Sequence, residues 1–203
     1  MAAHTETEVK LYCPDLSAAA SALIRAGAEL VTPRVAERNV RYDNADGTLT
    51  RDGIVLRLRQ DYRARLTYKG PGQIENGIMT RYEAEVEVSD FDTMHAILLK
   101  LGYQPRLIYE KFRTTYTLND AEIVLDELPY GNFIEIEGEA DTIEQLIPRL
   151  GLTDAPRYGY SYAGLFEIVK RNLSLDFRDL TFANFDGIDV PASAFVLAER
   201  SDT

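Results

Sequence analysis

Charged side chains alternate with mostly apolar ones in six short segments of this 203-residue chain. Successive side chains of a β-strand point to opposite faces, so this spacing places all the charges of a segment on one face. The charged positions are Glu6, Glu8 and Lys10; Arg57 and Arg59; Arg81, Glu83, Glu85 and Glu87; Lys111 and Arg113; Asp126; and Glu135 and Glu137. The pattern predicts strands that each have one charged face and one apolar face.

The strands are interrupted by few helices. Two segments with apolar residues at helical spacing are predicted to be helices, one capped by Asp15 or Ser17 and the other by Ser89 or Asp90. Two further helices are expected at about residues 142–150 and 160–172. Runs of short strands with few helices indicate the α+β class with an antiparallel sheet.

Turn signals separate the predicted strands. Asp46-Gly47 and Asp52-Gly53 are typical turn dipeptides, and Gly70-Pro71-Gly72 is predicted to form a hairpin turn. No Gly-Lys-Ser/Thr sequence follows these glycines, so they do not form a phosphate-binding loop of that type.

Two arrangements of the sheet fit the alternation. An open sheet would expose its charged face to solvent, which is the ordinary pattern of a half-buried strand. A closed sheet would line a wet tunnel with the charges, while the apolar faces pack beneath helices. Because the pattern recurs in six segments, with acidic and basic sets on different strands, the closed arrangement is favoured.

Composition limits the partners of the chain. A net charge of -11 and a pI of about 4.7 argue against a general binder of nucleic acid or of membrane surfaces. Cys13 has no partner for a disulfide, and there is neither an export leader nor an apolar run of the roughly 18 residues that span a membrane. We therefore expect a cytoplasmic protein.

Several motifs, in a fixed order, resemble the CYTH-domain proteins, the triphosphate tunnel metalloenzymes that include class IV adenylate cyclases and thiamine triphosphatases. Glu6, Glu8 and Lys10 resemble the E-x-E-x-K strand typical of that family. The other matching segments, in chain order, are NVRYD (39–43), LRLR (56–59), LTYKGPG (66–72), RYEAEVEV (81–88), KFR (111–113), LDEL around Asp126, GNFIEIE (131–137) and Ser161-Tyr162. The resemblance covers about residues 6–168.

The resemblance implies an eight-stranded antiparallel tunnel that binds a triphosphate with Mg²⁺ or Mn²⁺, with two ions expected. The implied triphosphate ligands are Lys10, Arg57, Arg59, Lys69, Arg81, Lys111 and Arg113. The implied metal ligands are Glu6, Glu8, Glu83, Glu85, Asp126, Glu135 and Glu137. Lys10, Glu83 and Asp126 are the candidate catalytic residues. The same cations could instead form surface salt bridges, and Glu83 and Glu85 could belong to a plain polar face.

Three functions remain open at this point. The first is a metal-dependent phosphohydrolase that acts on inorganic triphosphate, thiamine triphosphate or a nucleoside triphosphate. The second is an adenylate cyclase that converts ATP to cyclic AMP and pyrophosphate. The third is a non-catalytic module that binds polyphosphate or nucleotides. The expected partner in each case is a small-molecule triphosphate, not nucleic acid or a membrane, and a homodimer is possible.

The C-terminal segment departs from the resemblance. We divide the chain into a tunnel domain at residues 1–172 and an extension at residues 173–203, whose four phenylalanines favour packing over disorder. Packing on the tunnel exterior, covering a tunnel mouth and forming a dimer are the open alternatives. Tyr158, Tyr160 and Tyr162 are predicted to be packing residues, and Glu122 is predicted to be a solvated loop charge.

Overall fold

A computed structural model describes residues 5–196 and shows eight antiparallel strands in one closed sheet. The strands are β1 (Thr5–Tyr12), β2 (Glu29–Asp43), β3 (Val55–Gln60), β4 (Ala64–Glu75), β5 (Ile78–Val88), β6 (Gln104–Leu118), β7 (Ala121–Leu128) and β8 (Gly131–Glu137). Their order around the tunnel is β1-β5-β4-β3-β2-β6-β7-β8, and β8 pairs with β1 to close the ring. The predicted α+β class and the closed antiparallel tunnel are confirmed.

The helices lie outside the sheet. They are α1 (Leu16–Arg25), α2 (Thr48–Arg51), α3 (Phe91–Lys100), α4 (Ala140–Arg149) and α5 (Tyr162–Leu173). Asp15 caps α1 by accepting a hydrogen bond from the Ala18 amide at 2.9 Å, and Asp90 caps α3 by accepting from the Thr93 amide at 2.7 Å. Of the two capping candidates for each helix, the carboxylate is therefore the one used.

The register of the strands explains why the charges face inward. Val9, Leu11 and Ile136 are buried with residues of α1 and α4 in one apolar cluster outside the tunnel. Since side chains alternate along a strand, the neighbours of these residues must point to the interior. Burying these apolar faces stabilises the fold at about 25 cal/mol per Å² of apolar surface, and it commits the charged faces to the tunnel.

One local prediction was wrong, and one short helix was missed. Gly70-Pro71-Gly72 lies inside β4, at a register shift in its pairing with β5, and the hairpin turns instead at Asn76-Gly77, where φ is 51° and 80°. Proline is tolerated here because β4 pairs with β3 only as far as Lys69, so the edge beyond it carries no ladder. The helix α2 follows the Asp46-Gly47 turn and was not foreseen.

The C-terminal extension packs on the outside of the tunnel domain. Phe185 and Phe195 are buried with Leu165 and Phe166 of α5, and Phe177 lies against the same cluster. This agrees with the packing alternative, while the domain boundary at residue 172 stays a prediction. Residues 1–4 and 197–203, which belong to the two predicted units, lie outside the described residues. Within residues 5–196, no helix is long and apolar enough to cross a membrane.

Candidate functional site

A cavity of about 340 Å³ occupies the interior of the closed sheet, and charged side chains from all eight strands face its axis or lie just behind its wall. The predicted site residues that line it are Glu6, Glu8, Lys10, Arg57, Arg59, Lys69, Arg81, Glu83, Glu85, Lys111, Arg113, Glu135 and Glu137. Asp126 is the exception, because it lies behind the wall and is fully buried. The sequence pattern therefore identified side chains that the fold brings together.

One wall of the cavity is rich in carboxylates, and we call it the open cluster. It consists of Glu6, Glu8, Lys69, Arg81, Glu83, Glu122 and Glu137. The Lys69 Nζ donates to both oxygens of Glu6 at 2.7 and 2.8 Å and lies 2.7 Å from Glu83 Oε2. Arg81 donates to Glu6 at 2.9 Å and to Glu8 at 3.2 Å. The open cluster thus contains only two cations for five carboxylates.

The excess of negative charge in the open cluster shifts its pKa values. Burial, together with a hydrogen bond to Glu6, raises the pKa of Glu83 to about 7. Burial and the negative charges of Glu6 and Glu122 raise the pKa of Glu137 to about 8. Burial opposes the ionisation of Glu6, but the charges of Lys69 and Arg81 and its hydrogen bonds to Lys69 and Glu83 together outweigh burial and lower its pKa to about 2. Burial and the crowding of carboxylates therefore raise the pKa values of two members of the open cluster, Glu83 and Glu137.

A second, densely paired group of side chains lies next to the open cluster along β1 and β8, and we call it the closed cluster. It consists of Lys10, Lys111, Arg113, Asp126, Glu135 and Tyr162. Asp126 accepts hydrogen bonds from Lys111 at 2.9 Å, from Arg113 at 2.7 and 2.5 Å, and from the Tyr162 hydroxyl at 2.8 Å. These partners occupy both carboxylate oxygens, so Asp126 orders the cations of this wall.

The second carboxylate of the closed cluster is equally committed. Glu135 lies 2.5 Å from the Lys10 ammonium and accepts from Arg113 at 2.7 Å. Burial opposes its ionisation, but Lys10 and Arg113 outweigh that effect and hold its pKa well below the usual range. The Lys10 ammonium also lies 4.4 Å from the centre of the Tyr162 ring. The charged side chains of the closed cluster are therefore paired with one another.

Arginines dominate the wall between these clusters. Arg57 donates to the Thr67 hydroxyl at 3.2 Å and lies 3.5 Å from Glu85, while Arg59 pairs with Glu37 at 3.4 Å and with Glu85 at 3.3 Å. The buried Nε atoms of Arg57 and Arg59 have no hydrogen-bond partner among the described residues. Buried donors of this kind are suited to an anionic ligand.

Sequence reasoning missed three residues of β2 that show the same alternation, Glu37, Asn39 and Arg41. Arg41 lines the cavity, and within residues 5–196 its guanidinium makes no hydrogen bond or ion pair; burial and the nearby Arg57 lower its pKa. Glu37 is buried, and the charges of Lys111 and Arg113 overcome that burial and lower its pKa to about 2. The two-residue spacing of this segment was the signal that could have identified them.

Two other predictions need correction. Glu122 is not in a loop, because it lies on β7 opposite Glu137 and lines the cavity. Tyr158 and Tyr162 pack against Phe133, at ring distances of 6.3 and 5.4 Å, which confirms their assignment as packing residues. Tyr160 is 45% exposed and makes no ring contact among the described residues, so for this tyrosine the prediction was wrong.

The donor atoms of the open cluster fit a hard divalent cation. Mg²⁺ and Mn²⁺ prefer carboxylate oxygens, and this wall offers five carboxylates whose charge Lys69 and Arg81 only partly offset. Within residues 5–196, no three acidic, histidine or cysteine side chains are already arranged as a coordination sphere. The ion pairs of Glu6 explain this, because they direct its oxygens toward Lys69 and Arg81.

A closed antiparallel sheet with an interior of paired charges defines a tunnel class of protein. The family profile of the CYTH domain matches residues 4–148, which is most of the chain. The chain belongs to the CYTH family.

Individual proteins agree with this assignment. A Methanocaldococcus jannaschii protein provisionally named adenylate cyclase MJ0240 is 28% identical over 142 residues, covering 69% of this chain and 80% of that protein. The fold is similar to that of a provisional adenylate cyclase from Vibrio parahaemolyticus, with a TM-score of 0.68, 22% identity, and 78% and 95% of the two chains covered. It is also similar to Hippeastrum HpAC1, described as a provisional adenylyl cyclase with dominant triphosphatase activity (TM-score 0.58, 20% identity, 80% and 94% covered).

Proposed function

We propose that this protein is a divalent-metal-dependent phosphohydrolase that binds a triphosphate in the tunnel. The observation that carries the proposal is Arg41, whose partly buried guanidinium faces the cavity without an ion-pair partner in the described part of the chain. A partly buried cation without such a partner favours the binding of an anion beside it. The dominant triphosphatase activity attributed to HpAC1 points the same way.

Arg41 and Arg57 would bind the phosphate oxygens. Both line the cavity, and β2 and β3 place them directly opposite each other in the register of the sheet. Guanidinium groups can donate two parallel hydrogen bonds to a phosphate, which fixes its orientation as well as its position. Lys69 and Arg81 would complete the binding from the open cluster. Lys10, held by Glu135, would direct its charge at one end of the phosphate chain.

Glu83 is our candidate general base. Its pKa of about 7 allows the carboxylate to take a proton from an attacking water near neutral pH. The oxygen of that water would form a bond to the terminal phosphorus while the bridging P–O bond breaks, and the shortened phosphate chain would leave with its electron pair. Asp126, which the sequence suggested as catalytic, would act by positioning Lys111 and Arg113.

Glu6, Glu8 and Glu137 are the residues that would hold divalent cations, with two ions expected; Glu83, also a predicted ligand, would remain uncoordinated as the general base. Glu85, Glu135 and Asp126 remain predicted ligands, although each already pairs with buried arginine or lysine side chains. When bound, the cations would neutralise phosphate charge beside these carboxylates. The binding of a polyanion against an acidic wall requires this compensation.

A second recess favours a second function, adenylate cyclase. Beside α2 the tunnel opens into a space of about 270 Å³, where Ile54, Met79, Tyr160 and several glycines supply a mostly uncharged wall. It shares Arg41, Arg81 and Lys10 with the main cavity. An organic group attached to a triphosphate could lie here, and ATP is one such molecule. The recess therefore supports the alternative that the substrate is a nucleoside triphosphate and that the reaction is its cyclisation.

Product analysis separates the candidates. The purified protein would be incubated with Mg²⁺ or Mn²⁺ and, separately, with inorganic triphosphate, thiamine triphosphate and ATP. We expect orthophosphate from at least one of them and no cyclic AMP. Cyclic AMP with pyrophosphate from ATP would overturn the hydrolase in favour of the cyclase. Tight triphosphate binding without any product would instead identify a non-catalytic module.

A further inference from the structure

The C-terminal extension fills a gap in the tunnel wall. Along one edge, β6 pairs with β2 from Gln104 to Thr117, but along the other edge it pairs with β7 only from Phe112 onward. The first half of β6 therefore has an edge that no strand of the tunnel covers. Residues 179–182 of the extension, which we call the strap, occupy that edge.

The strap satisfies the exposed backbone of β6 completely at one point. The Leu180 amide donates to the Ile108 carbonyl, and the Leu180 carbonyl accepts from the Glu110 amide, both at 2.9 Å. The Ile108 amide donates to the Asp179 Oδ1, also at 2.9 Å. Leu180 is fully buried, and its backbone forms a parallel bridge with Tyr109.

The residue between the clamped positions reaches the predicted phosphate site. Tyr109 is buried, lines the tunnel cavity, and accepts a hydrogen bond from Arg57 Nη1 at 3.4 Å. Its backbone cannot shift without breaking the bonds that Ile108 and Glu110 make to the strap. Tyr109 is therefore held from outside the tunnel by a segment beyond the part that matches the family profile.

The strap itself is anchored at both ends. The Asn184 side chain donates to the Asp179 carbonyl at 2.7 Å, and the Phe182 amide donates to the Glu110 carboxylate at 3.1 Å. The Phe182 ring lies 5.1 Å from that of Phe112 on β6. These contacts keep the Asp179 carboxylate directed at β6.

We propose that Asp179 is a positioning residue for the triphosphate site, acting through Tyr109 on Arg57. This inference rests on the proposed function, because it assigns the strap to the affinity of that site. The contacts run from the extension toward the tunnel. The Asp179 carboxylate fixes the Ile108 backbone, Ile108 fixes Tyr109, and the Tyr109 hydroxyl orients Arg57. Loss of the first contact would loosen the Tyr109 contact of Arg57, which would then be oriented by Thr67 and Glu85 alone.

The test is a double-mutant cycle between Asp179→Ala and Tyr109→Phe in the full-length protein. We expect Asp179→Ala to weaken the binding of inorganic triphosphate about tenfold, measured by calorimetry with Mg²⁺, and to raise KM in parallel while kcat stays within about twofold. In the Tyr109→Phe background the same change should have almost no further effect, because the two residues act in one path. Asp179→Asn retains an oxygen acceptor and should restore most of the affinity.

A matched control is Asp189→Ala, which removes an exposed carboxylate from the same extension. It should bind triphosphate as the wild type does. An equal loss of affinity from Asp179→Ala in both Tyr109 backgrounds, or no loss in either, would overturn the inference while leaving the proposed function intact. If the wild-type protein itself does not bind triphosphate, the proposed function fails, and the inference fails with it.

Discussion

The open and closed clusters contain the same kinds of side chain in opposite proportions. In the open cluster, the carboxylates of Glu6, Glu8, Glu83, Glu122 and Glu137 outnumber the cations of Lys69 and Arg81. In the closed cluster, Lys10, Lys111 and Arg113 outnumber Asp126 and Glu135. In the open cluster the pKa values of Glu83 and Glu137 rise to about 7 and about 8 while that of Glu6 falls to about 2, whereas in the closed cluster the pKa of Glu135 falls.

This difference shows that a buried charge can serve stability or ligand binding, depending on its balance of partners. Every charged side chain of the closed cluster has an ion-pair partner within the chain, so removing one carboxylate leaves buried cations short of a partner. The open cluster retains negative charge that the chain does not neutralise. A cation should therefore bind most favourably at the open cluster, and substitutions there should affect activity more than folding.

The largest effect is expected in the open cluster, from Glu83→Gln. Loss of the candidate general base should lower kcat for triphosphate hydrolysis by roughly 100-fold or more. The melting temperature should not fall, because the change removes surplus negative charge. Glu87→Gln is the matched control, since Glu87 is on the same strand but pairs with the exposed Arg63. Activity of Glu83→Gln within twofold of the wild type would contradict its role.

The second-largest effect should be a loss of folding stability on substitution of a residue in the closed cluster. Asp126→Ala leaves Lys111 and Arg113 buried without their shared carboxylate, at a cost of about 3–5 kcal/mol of unfolding free energy. For a chain of this size that corresponds to a fall in melting temperature of roughly 6–20 °C. Thermal unfolding checks it, and a fall as small as that of Glu83→Gln would remove the distinction between the two walls.

The third prediction concerns the arginine wall between the clusters. Arg41→Ala should raise KM for triphosphate about tenfold, through loss of a charge-assisted hydrogen bond to phosphate. It should leave the melting temperature unchanged or slightly higher, because within residues 5–196 Arg41 makes no ion pair that the change would break. Steady-state kinetics measure the first quantity, and Arg25→Ala, on the exposed surface of α1, is the control. A stability loss without a change in KM would show that Arg41 is structural.

The smallest effect is a pH dependence of stability in the metal-free protein. The folded pKa values of Glu83 and Glu137 lie above the usual 4.5, at about 7 and about 8. The stability that these two groups contribute to the folded protein is therefore fully present below about pH 4.5 and is lost as the pH rises through their folded pKa values. Because Glu137 is partly exposed to the cavity, we expect a fall in melting temperature of only about 2–4 °C between pH 5 and 9.

Glu137→Gln should flatten this pH profile, since the glutamine does not ionise. Below pH 4.5 the melting temperature should fall as the pH falls. The pKa values of Glu6 and Glu37 are lowered to about 2, so the protein loses their stabilising contribution as these groups become protonated. A wild-type profile that rises between pH 5 and 9 would contradict the charge balance assigned to the open cluster.

The strand faces of this protein could be read from the sequence because the side-chain period of a strand is fixed at two. Glu6, Glu8, Arg57, Arg59 and the residues around them line the cavity for this reason. The same spacing covers Arg41, which was overlooked because its neighbour two positions away, Asn39, is uncharged. Periodicity thus predicts which side chains share a face.

Periodicity does not predict how the charges pair across the tunnel. Asp126 has the alternation of a tunnel residue, yet Lys111, Arg113 and Tyr162 cover it, and this depends on the packing of α5. The role of the strap likewise depends on where residues distant in sequence meet, since Asp179 bonds to Ile108. Proline at position 71 was misread because its tolerance depends on which edge of β4 is paired.

We expect carboxyl groups of the open cluster to be partly protonated without metal, and a divalent cation to displace those protons. Metal binding requires ionised carboxylates, so at pH 7.5 the addition of Mg²⁺ or Mn²⁺ should release close to one proton per protein. Calorimetric titration in two buffers of different ionisation enthalpy measures this number. We expect Glu137→Gln to reduce it clearly and Glu87→Gln to leave it unchanged. Cation binding without proton release in the wild type would contradict the account.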